Sequence, residues 1–260
     1  MTKHRFATEE IEKFSTVDLI AELKRRYQVL SRPEKSCVIL GHPVSGVSTQ
    51  ANFLRKEWGV CSIKREDVLP KPDSNVQEAV LKLAEEIGSF RCRRGFVLQN
   101  FPQSEEEARL FDHMLAKKDE KHKEYTPILL SLPSETDEAR NSSLKVLKDR
   151  ASGHMVHEAS GRVYNANVTE LAPQSPNVDD ITGEPLVCPR KNYSQLTEKV
   201  ERWWSLTQPH MRTYFGERMQ VVDSSQSQDE VSMTVSRILL RSAPGKSEAS
   251  ERSSSGNNRQ

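Results

Sequence analysis

The sequence predicts an α/β fold in which a doubly wound parallel sheet carries helices on both faces. Short apolar runs of strand length alternate along the chain with longer segments whose apolar residues recur at the helical period. The first run, SCVILG at 36–41, ends in a glycine turn that leads directly into a helical segment. Strands that alternate with helices in this way favour parallel pairing through right-handed crossovers.

The first half of the chain supplies three helices and two strands of this pattern. A helix is predicted at 15–30 behind a Ser/Thr cap, because six apolar residues recur there near the 3.6-residue period. These residues are Val17, Leu19, Ile20, Leu23, Tyr27 and Leu30. The elements that follow are the strand at 36–41, a helix from Ser48 to Trp58, a capped helix at 73–90 and a second buried strand at 95–100.

The second half continues the alternation and interrupts it once. Its predicted elements are a helix at 102–118 with proline and acidic residues at its start, a strand at 126–132, a helix to about Arg150, a long helical segment at 193–219, a strand at 220–225 and a last helix at 229–242. Residues 154–190 break the rhythm with prolines and turn residues between short β-prone stretches. We expect a small hairpin-rich lobe there.

Charge and composition exclude several classes of partner. The 260 residues carry 38 Lys and Arg against 37 Asp and Glu, and this net charge of +1 predicts binding to neither nucleic acid nor an anionic membrane. No run of about 18 apolar residues occurs. We therefore expect a soluble intracellular protein, cytoplasmic by default, although the sequence leaves an organelle open.

The chain is long enough for one large domain with its own core. We expect an amino-terminal extension with a helix at 1–31, an α/β domain at 32–241 and a disordered Ser-rich tail at 242–260.

The cysteines and histidines form no recognisable metal-binding pattern. The four cysteines, at positions 37, 61, 92 and 188, include no CxxC pair and no histidine partner at zinc-ligand spacing. We expect free thiols in a reducing compartment and no metal site. His154 and His157 stand three residues apart without a nearby cysteine, so we expect them to be structural or to face solvent.

The turn GHPVSGVST after the first strand is the candidate ligand site, because ligands of doubly wound sheets bind beyond the carboxyl ends of the strands. Gly41 and Gly46 have the spacing of a phosphate-binding loop, whose backbone N–H groups close around phosphate oxygens. Val47 occupies the position at which this motif requires lysine, whereas Ser48 and Thr49 still offer hydroxyl groups. These residues are compatible with an anion site that lacks the charged lysine side chain of the motif. They are equally compatible with an ordinary strand-to-helix turn.

Further stretches carry a resemblance to a known family. They are GHPVSGVSTQ, GFVLQNFPQSEEEA, ASGHMVHEASGRVYN, DDITGEPL and SLTQPHMRTYF. On these stretches the chain resembles the adenylate kinase family of nucleoside monophosphate kinases over roughly residues 15–241, as a degenerate member with a long lid. The combination of VHxxSGRxYN and DDxTGEPL is the most specific part of the resemblance.

The resemblance implies a fold and an activity. It implies a five-stranded parallel core, an inserted β lid at about 153–190 and an AMP-binding arm before GFVLQN. About 25 residues separate Pro70 from Gly95, fewer than in the family, so we expect a shortened arm. The implied activity is reversible phosphoryl transfer from Mg-ATP to AMP, which depends on positioning and on cations that neutralise the moving group.

Most of the family's charged positions are neutral in this chain. The resemblance places the family's loop lysine on Val47 and three of its arginines on Pro70, Gln103 and His154. It places the aspartate of the magnesium shell on Gln99.

Other family positions are retained or uncertain. Arg150 matches the arginine that stacks on the adenine of ATP, and Asp67 is retained, whereas Val44 replaces the middle glycine of the loop. Towards the carboxyl side of the lid the register is uncertain by one or two residues, and Arg190 and Lys199 are the nearest cations.

Several residues have two interpretations. Cations elsewhere could compensate for the losses, namely Lys64, Arg65, Arg91, Arg93 and Arg94, but the RCRR stretch also fits a solvated turn before a strand. Because adjacent helical residues cannot both face one core, we expect one of Trp203 and Trp204 to pack and the other to be partly exposed, where it could mark a partner surface. Arg162 and Tyr164 belong to the lid hairpin, where a structural role is expected.

Together these inferences predict an adenylate kinase-like protein that is catalytically impaired and acts through binding, as a subunit or scaffold in a larger assembly. No catalytic or metal-binding residue is assigned. We expect Mg-ATP to bind weakly or not at all. The residues that would form its site are Gly41, Gly46, Ser48, Thr49 and Arg150. The alternative is an active, divergent nucleoside monophosphate kinase that transfers phosphate from Mg-ATP to AMP.

Overall fold

A computed structural model of the protein describes residues 15–69, 75–117, 124–160, 162–168, 171–188 and 193–241. Its main sheet contains β1 (Cys37–Gly41), β2 (Cys61–Lys64), β3 (Phe96–Gln99), β4 (Thr126–Ser131) and β7 (Gln220–Asp223). The strand order is β2-β3-β1-β4-β7, and every neighbouring pair is parallel. The predicted α/β class with five parallel strands is therefore confirmed.

Nine helices occur in the described part of the chain. They are α1 (Thr16–Ser31), α2 (Val47–Trp58), α3 (Arg65–Val68), α4 (Val76–Ile87), α5 (Glu105–Ala116), α6 (Asp137–Gly153), α7 (Tyr193–Arg202), α8 (Gln208–Phe215) and α9 (Gln228–Arg241). Side-chain caps from Ser15, Asn75, Ser104 and Thr136 start α1, α4, α5 and α6.

The sheet is buried on both faces. Along β1, Val38 and Leu40 point into one apolar cluster with α4, α5 and α7. Cys37 and Ile39 point into a second cluster with α2 and α9. This double burial explains why the strand reads as a continuous apolar run.

A small antiparallel pair lies where the sequence predicts a hairpin-rich lobe. It is formed by β5 (His154–His157) and β6 (Arg162–Asn165). Asp179 holds the lobe together, since its carboxylate accepts hydrogen bonds from the Arg162 guanidinium at 2.6 and 2.7 Å and from the Tyr164 hydroxyl at 2.9 Å. The pKa of Asp179 is far below its usual value, chiefly because of Arg162. His157 is buried and contacts Ser160 and Glu184, each at 2.6 Å.

The expectation of four free thiols is wrong. Cys61 and Cys92 form a disulfide with Cα atoms 5.0 Å apart. Cys61 begins β2, and a 3₁₀ turn at Phe90–Cys92 brings its partner beside it just before β3. Their separation of 31 residues gave no sign of this contact. Cys37 is free and buried, and Cys188 is free and exposed.

The expectation for the two tryptophans is also wrong, because both are buried. The chain forms a π-helical turn over Trp203–Thr207 between α7 and α8. This wider turn changes the angle between successive side chains, so the spacing of an α-helix does not apply. Trp204 packs edge-on against His42, with ring centroids 6.1 Å apart.

The helix α1 lies against α2 and keeps its apolar side chains in solvent. Val17, Leu23 and Tyr27 are 75%, 69% and 73% exposed. The predicted segments at 1–14 and 242–260 lie outside the described residues.

Candidate functional site

The candidate site lies beyond the carboxyl end of β1, where residues 42–46 connect it to α2. Gly46 has a φ of 99° and Val44 a φ of 69°, both in the left-handed region. A Cβ atom built on Gly46 would have no neighbour within 4 Å, so this side of the loop is open. At Gly41 a Cβ atom would lie 2.3 Å from the Ser45 hydroxyl oxygen and 3.1 Å from the backbone oxygen of Leu130, so any larger residue would displace Ser45. The loop therefore keeps the shape of a backbone cradle at a helix amino terminus.

A cavity of about 240 Å³, which we call the loop cavity, opens in front of this turn. Of the five predicted nucleotide-binding residues, Gly46, Ser48, Thr49 and Arg150 line it. Gly41 instead lines a neighbouring cavity of about 980 Å³ beside α3, α5 and α7, which we call the arm cavity.

Three buried polar atoms on residues that line the loop cavity have no hydrogen-bond partner in the described part of the chain. They are Nε2 of His42, Oγ of Ser45 and Oε1 of Gln228. Burial, with a smaller contribution from the nearby charge of Arg150, lowers the pKa of His42 to about 4, so the imidazole is neutral at pH 7. Unsatisfied buried polar atoms are costly, and a polar ligand in this cavity would satisfy them.

Among the described residues that line the loop cavity, Arg150 alone carries a permanent positive charge. Burial lowers its pKa, and the carboxylate of Asp223 opposes that effect. Val47, which follows the cradle, is 4% exposed and packs with Ile39 and Leu130 in the core. The position where the motif requires lysine is thus part of the apolar interior.

Behind the loop, Gln99 is held by two hydroxyl groups. Its Oε1 accepts a hydrogen bond from Ser48 at 3.0 Å, and its Nε2 donates one to Ser62 at 2.7 Å. Gln99 is 5% exposed, so its amide is fixed in this chain of contacts. Its neighbour Asn100 accepts a hydrogen bond from the backbone N–H of Gly41 at 3.1 Å, which joins the end of β3 to the loop.

In the arm cavity the main contact joins Arg65 on α3 to Glu107 on α5. The guanidinium donates two hydrogen bonds of 2.6 and 2.8 Å to the carboxylate, and Glu107 also accepts the backbone N–H of Gln103 at 2.7 Å. The side chain of Glu107 is 8% exposed and that of Arg65 is 23% exposed. Lys199 and Arg202 from α7 line the same cavity.

The chain is similar in sequence to several adenylate kinases, and the similarity to some of them covers most of its length. It is 27% identical over 257 residues to adenylate kinase 4 of Arabidopsis thaliana, which covers 90% of this chain and 98% of that protein. It is 28% identical over 225 residues to adenylate kinase 3 of Oryza sativa subsp. japonica, covering 78% and 87% of the two chains. The adenylate kinase of Baumannia cicadellinicola subsp. Homalodisca coagulata is 31% identical over 173 residues, which are 58% of this chain and 71% of that one. The chain belongs to the adenylate kinase family. No protein-family model matches it.

The described residues that the resemblance places on lost adenylate kinase arginines fall in both cavities. Gln103 lines the arm cavity and His154 the loop cavity, whereas Pro70 and Arg190 lie outside the described residues. Of the five cations considered as substitutes, only Arg65 lines either cavity. Its charge is already paired with Glu107.

The RCRR stretch lies at the amino ends of the strands, at the edge opposite the loop. Arg94 donates to the backbone carbonyls of Val29 and Arg32 at 2.7 and 2.9 Å. Arg91 is paired with Glu86. These arginines hold surface segments in place, in agreement with the interpretation of RCRR as a turn before a strand.

Sequence reasoning missed His42, Gln228 and Glu107. Glu107 lies in the first turn of α5, and its pairing with Arg65 spans 42 residues, so no local pattern could indicate it. His42 sits inside the glycine turn and could have been noted as an unusually bulky loop residue.

The described residues do not fit a magnesium ion in the way that the family implies. The residue that the resemblance places on the family's aspartate is Gln99, whose amide already contacts Ser48 and Ser62. Magnesium is bound mainly through carboxylates and phosphates. No group of three or more His, Cys, Asp or Glu residues in the described ranges could hold a metal ion. Within the same ranges, no helix has the length and apolar character needed to cross a membrane.

Proposed function

We propose that this adenylate kinase-like chain binds an adenine nucleotide at the loop cavity without transferring its phosphoryl group, and that it acts through binding, as a subunit or scaffold. Nucleotide binding is supported by the open cradle at Gly46, by the buried polar atoms of His42, Ser45 and Gln228, and by Arg150. The backbone N–H groups would bind phosphate oxygens and Arg150 would lie against the base.

The observation that carries the loss of transfer is the Arg65–Glu107 pair. A transferring phosphoryl group needs free positive charge around it. Arg65 is in the right cavity to supply such charge, but Glu107 neutralises it through two hydrogen bonds. The pair therefore leaves Arg65 without free positive charge to offer an AMP phosphate in the arm cavity.

The magnitude of the missing interactions supports the same conclusion. Removing one preorganised donor to a developing anion costs about 3 kcal/mol, and one catalytic arginine is worth roughly 10³–10⁵ in rate. Here Val47, Gln99 and Gln103 replace three charged groups. Such losses are not additive, but half of their sum already removes useful turnover.

A second candidate function is a divergent nucleoside monophosphate kinase. The observation that favours it is the presence of Lys199 and Arg202 in the arm cavity, where they could contact an anionic substrate.

A coupled assay with ATP and AMP separates the two functions. We expect no ADP formation above background, with or without magnesium. Magnesium-dependent ADP formation at about 1–100 s⁻¹, the usual range for kinases, would refute the loss of transfer and favour the second candidate.

Thermal unfolding tests the nucleotide site. We expect ATP to raise the unfolding temperature equally in magnesium and in EDTA, and Arg150→Met to remove most of this shift. Lys145→Met, an exposed cation on the same helix, is the matched control and should leave the shift unchanged. A chain that gains no stability from ATP would refute nucleotide binding.

A further inference from the structure

Helix α1 presents an apolar surface that no described part of the chain covers. We call it the outer stripe, and its residues are Val17, Leu19, Ile20, Leu23, Tyr27 and Leu30. Their exposed fractions range from 40% for Leu19 to 75% for Val17. Contiguous exposed apolar residues of this kind mark interaction sites more often than single ones do.

The outer stripe cannot turn towards the core, because the opposite face of α1 is fixed to the body of the protein. Arg25 donates a hydrogen bond to the backbone carbonyl of Lys56 at 2.8 Å. Arg94 donates one to the carbonyl of Val29 at 2.7 Å, and Arg32 donates one to the carbonyl of Glu57 at 2.8 Å. The helix is therefore amphipathic, but its polar face packs against the protein and its apolar face is exposed to solvent, the reverse of the usual arrangement.

The spacing within the stripe indicates the shape of what binds it. Ile20, Leu23, Tyr27 and Leu30 follow one another at intervals of three, four and three residues. This is the spacing of a helix–helix seam, in which side chains of one helix insert between those of another. At 1.5 Å per residue the seam is about 15 Å long, which matches roughly three turns of a partner helix.

The charges beside the seam indicate the chemistry of the partner. Lys24 and Arg26 are exposed and lie on either side of the stripe. Among the described residues, Glu22 is the carboxylate that pairs with this helix's arginines, and Arg25 and Arg26 share it at 2.7 and 2.8 Å. The margin of the seam is thus positive, so acidic residues on a partner helix would be attracted to it.

Other occupants fit these observations less well. A second copy of α1 would place Lys24 and Arg26 of both copies at one seam, where like charges repel. A lipid surface favours a helix with a broad basic face, whereas the polar face of α1 is docked on α2.

We propose that the outer stripe binds an amphipathic helix with acidic flanking residues from a partner protein. This interface is separate from both cavities and does not depend on nucleotide binding, so its test can fail without affecting the proposed function.

The test uses a labelled designed peptide of about four heptads with Leu at the two core positions and Glu at the flanking positions, and a counterpart with Lys in place of Glu. Fluorescence anisotropy with the full chain measures both. We expect the Glu peptide to bind at least about tenfold more tightly than the Lys peptide. Equal affinities, or no binding of the Glu peptide, would overturn the proposal.

Two variants and a control locate the binding. Leu23→Asp with Tyr27→Asp should weaken the Glu peptide at least about tenfold, and Lys24→Glu with Arg26→Glu should reverse the preference between peptides. All four positions are exposed, so the fold should persist, which circular dichroism checks. Met233→Asp, on the exposed face of α9, is the matched control and should change nothing. Binding that survives Leu23→Asp with Tyr27→Asp contradicts the assignment to the stripe.

Three further outcomes would assign the stripe to another occupant and overturn the proposal. One is a concentration-dependent dimer in sedimentation that Leu23→Asp with Tyr27→Asp abolishes. Another is sedimentation with anionic phosphatidylserine vesicles that depends on Leu23 and Tyr27. The third is peptide binding that appears only after residues 1–14 are removed, because this segment, in which Phe6, Ile11 and Phe14 stand beside both acidic and basic residues, would then be the natural occupant.

Discussion

The guanidinium of Arg65 and the carboxylate of Glu107 form two hydrogen bonds, of 2.6 and 2.8 Å, across the arm cavity. The pair joins the short helix α3 to the first turn of α5 and also fixes the backbone of Gln103. A charge that an adenylate kinase could use for substrate phosphate is thereby used inside the chain.

Glu107→Gln should lower the free energy of unfolding by about 2 kcal/mol, because it leaves the partly buried charge of Arg65 without a carboxylate. Urea denaturation measures the change. The matched control is Glu105→Gln, which breaks the exposed Arg109–Glu105 pair on the same helix and should cost less than about 0.5 kcal/mol. Equal effects of the two substitutions would mean that the partly buried Arg65–Glu107 pair stabilises the fold no more than the exposed pair does.

Val47→Lys alone should not restore ADP formation, because Gln99 and Gln103 still lack the charges that magnesium and AMP phosphate need. The coupled assay with ATP and AMP measures this. Val47→Met is the control, since it has similar length without the charge and shows how far packing near Ile39 tolerates a longer side chain. A large gain from Val47→Lys would show that the losses in the arm cavity matter less than the loop lysine.

The buried imidazole of His42 predicts a pH dependence of stability. Its pKa is about 4 in the folded protein and 6.5 ordinarily, so between these values the unfolded chain binds a proton that the folded chain does not. The free energy of unfolding should therefore be highest above pH 6.5 and fall as the pH drops towards 4, by up to about 3 kcal/mol. His42→Asn should flatten this slope in denaturation experiments between pH 4 and pH 7.

The control for that experiment is His113→Asn, because His113 is exposed on α5. Its pH profile should run parallel to that of the unmodified chain. A His42→Asn profile that also runs parallel would contradict the assignment of the slope to His42.

The disulfide predicts a response to reduction. It closes a loop of 31 residues, and on the chain-entropy model its loss lowers the free energy of unfolding by about 3–4 kcal/mol. Cys61→Ser with Cys92→Ser should show this loss in the absence of reductant and no further loss in its presence. Cys188→Ser, at an exposed free thiol, is the control and should remain sensitive to reductant. A double variant as stable as the unmodified chain would contradict a stabilising role for the bond.

The sequence predicts the elements well where a pattern is local and poorly where a contact is distant. The apolar run of β1 and the capped helix α4 are visible from period and cap alone. Strand β2 escapes the pattern because it has four residues, of which Ser62 is only half buried and Lys64 is exposed. Only the five-stranded core that the family resemblance implies predicts this strand.

In the candidate site, too, the sequence predicts the local features and not the distant contacts. The spacing of Gly41 and Gly46 predicts the cradle, and the residue types at positions 47 and 103 predict the missing charges. The Arg65–Glu107 pair and the hydrogen bonds of Gln99 depend on side chains that only the folded chain brings together. The burial of both Trp203 and Trp204 depends on a π-helical turn, for which the α-helical period gives no signal.

Val44 in the left-handed region gives the loop a distinctive dynamic property. A β-branched residue in that conformation is strained by about 1–2 kcal/mol, and the strain is released whenever the loop opens. Local opening therefore requires less free energy here than it would with glycine at this position. The backbone amide protons of residues 44–46 should exchange with deuterium well before those of β1, even though the two segments are only a few residues apart.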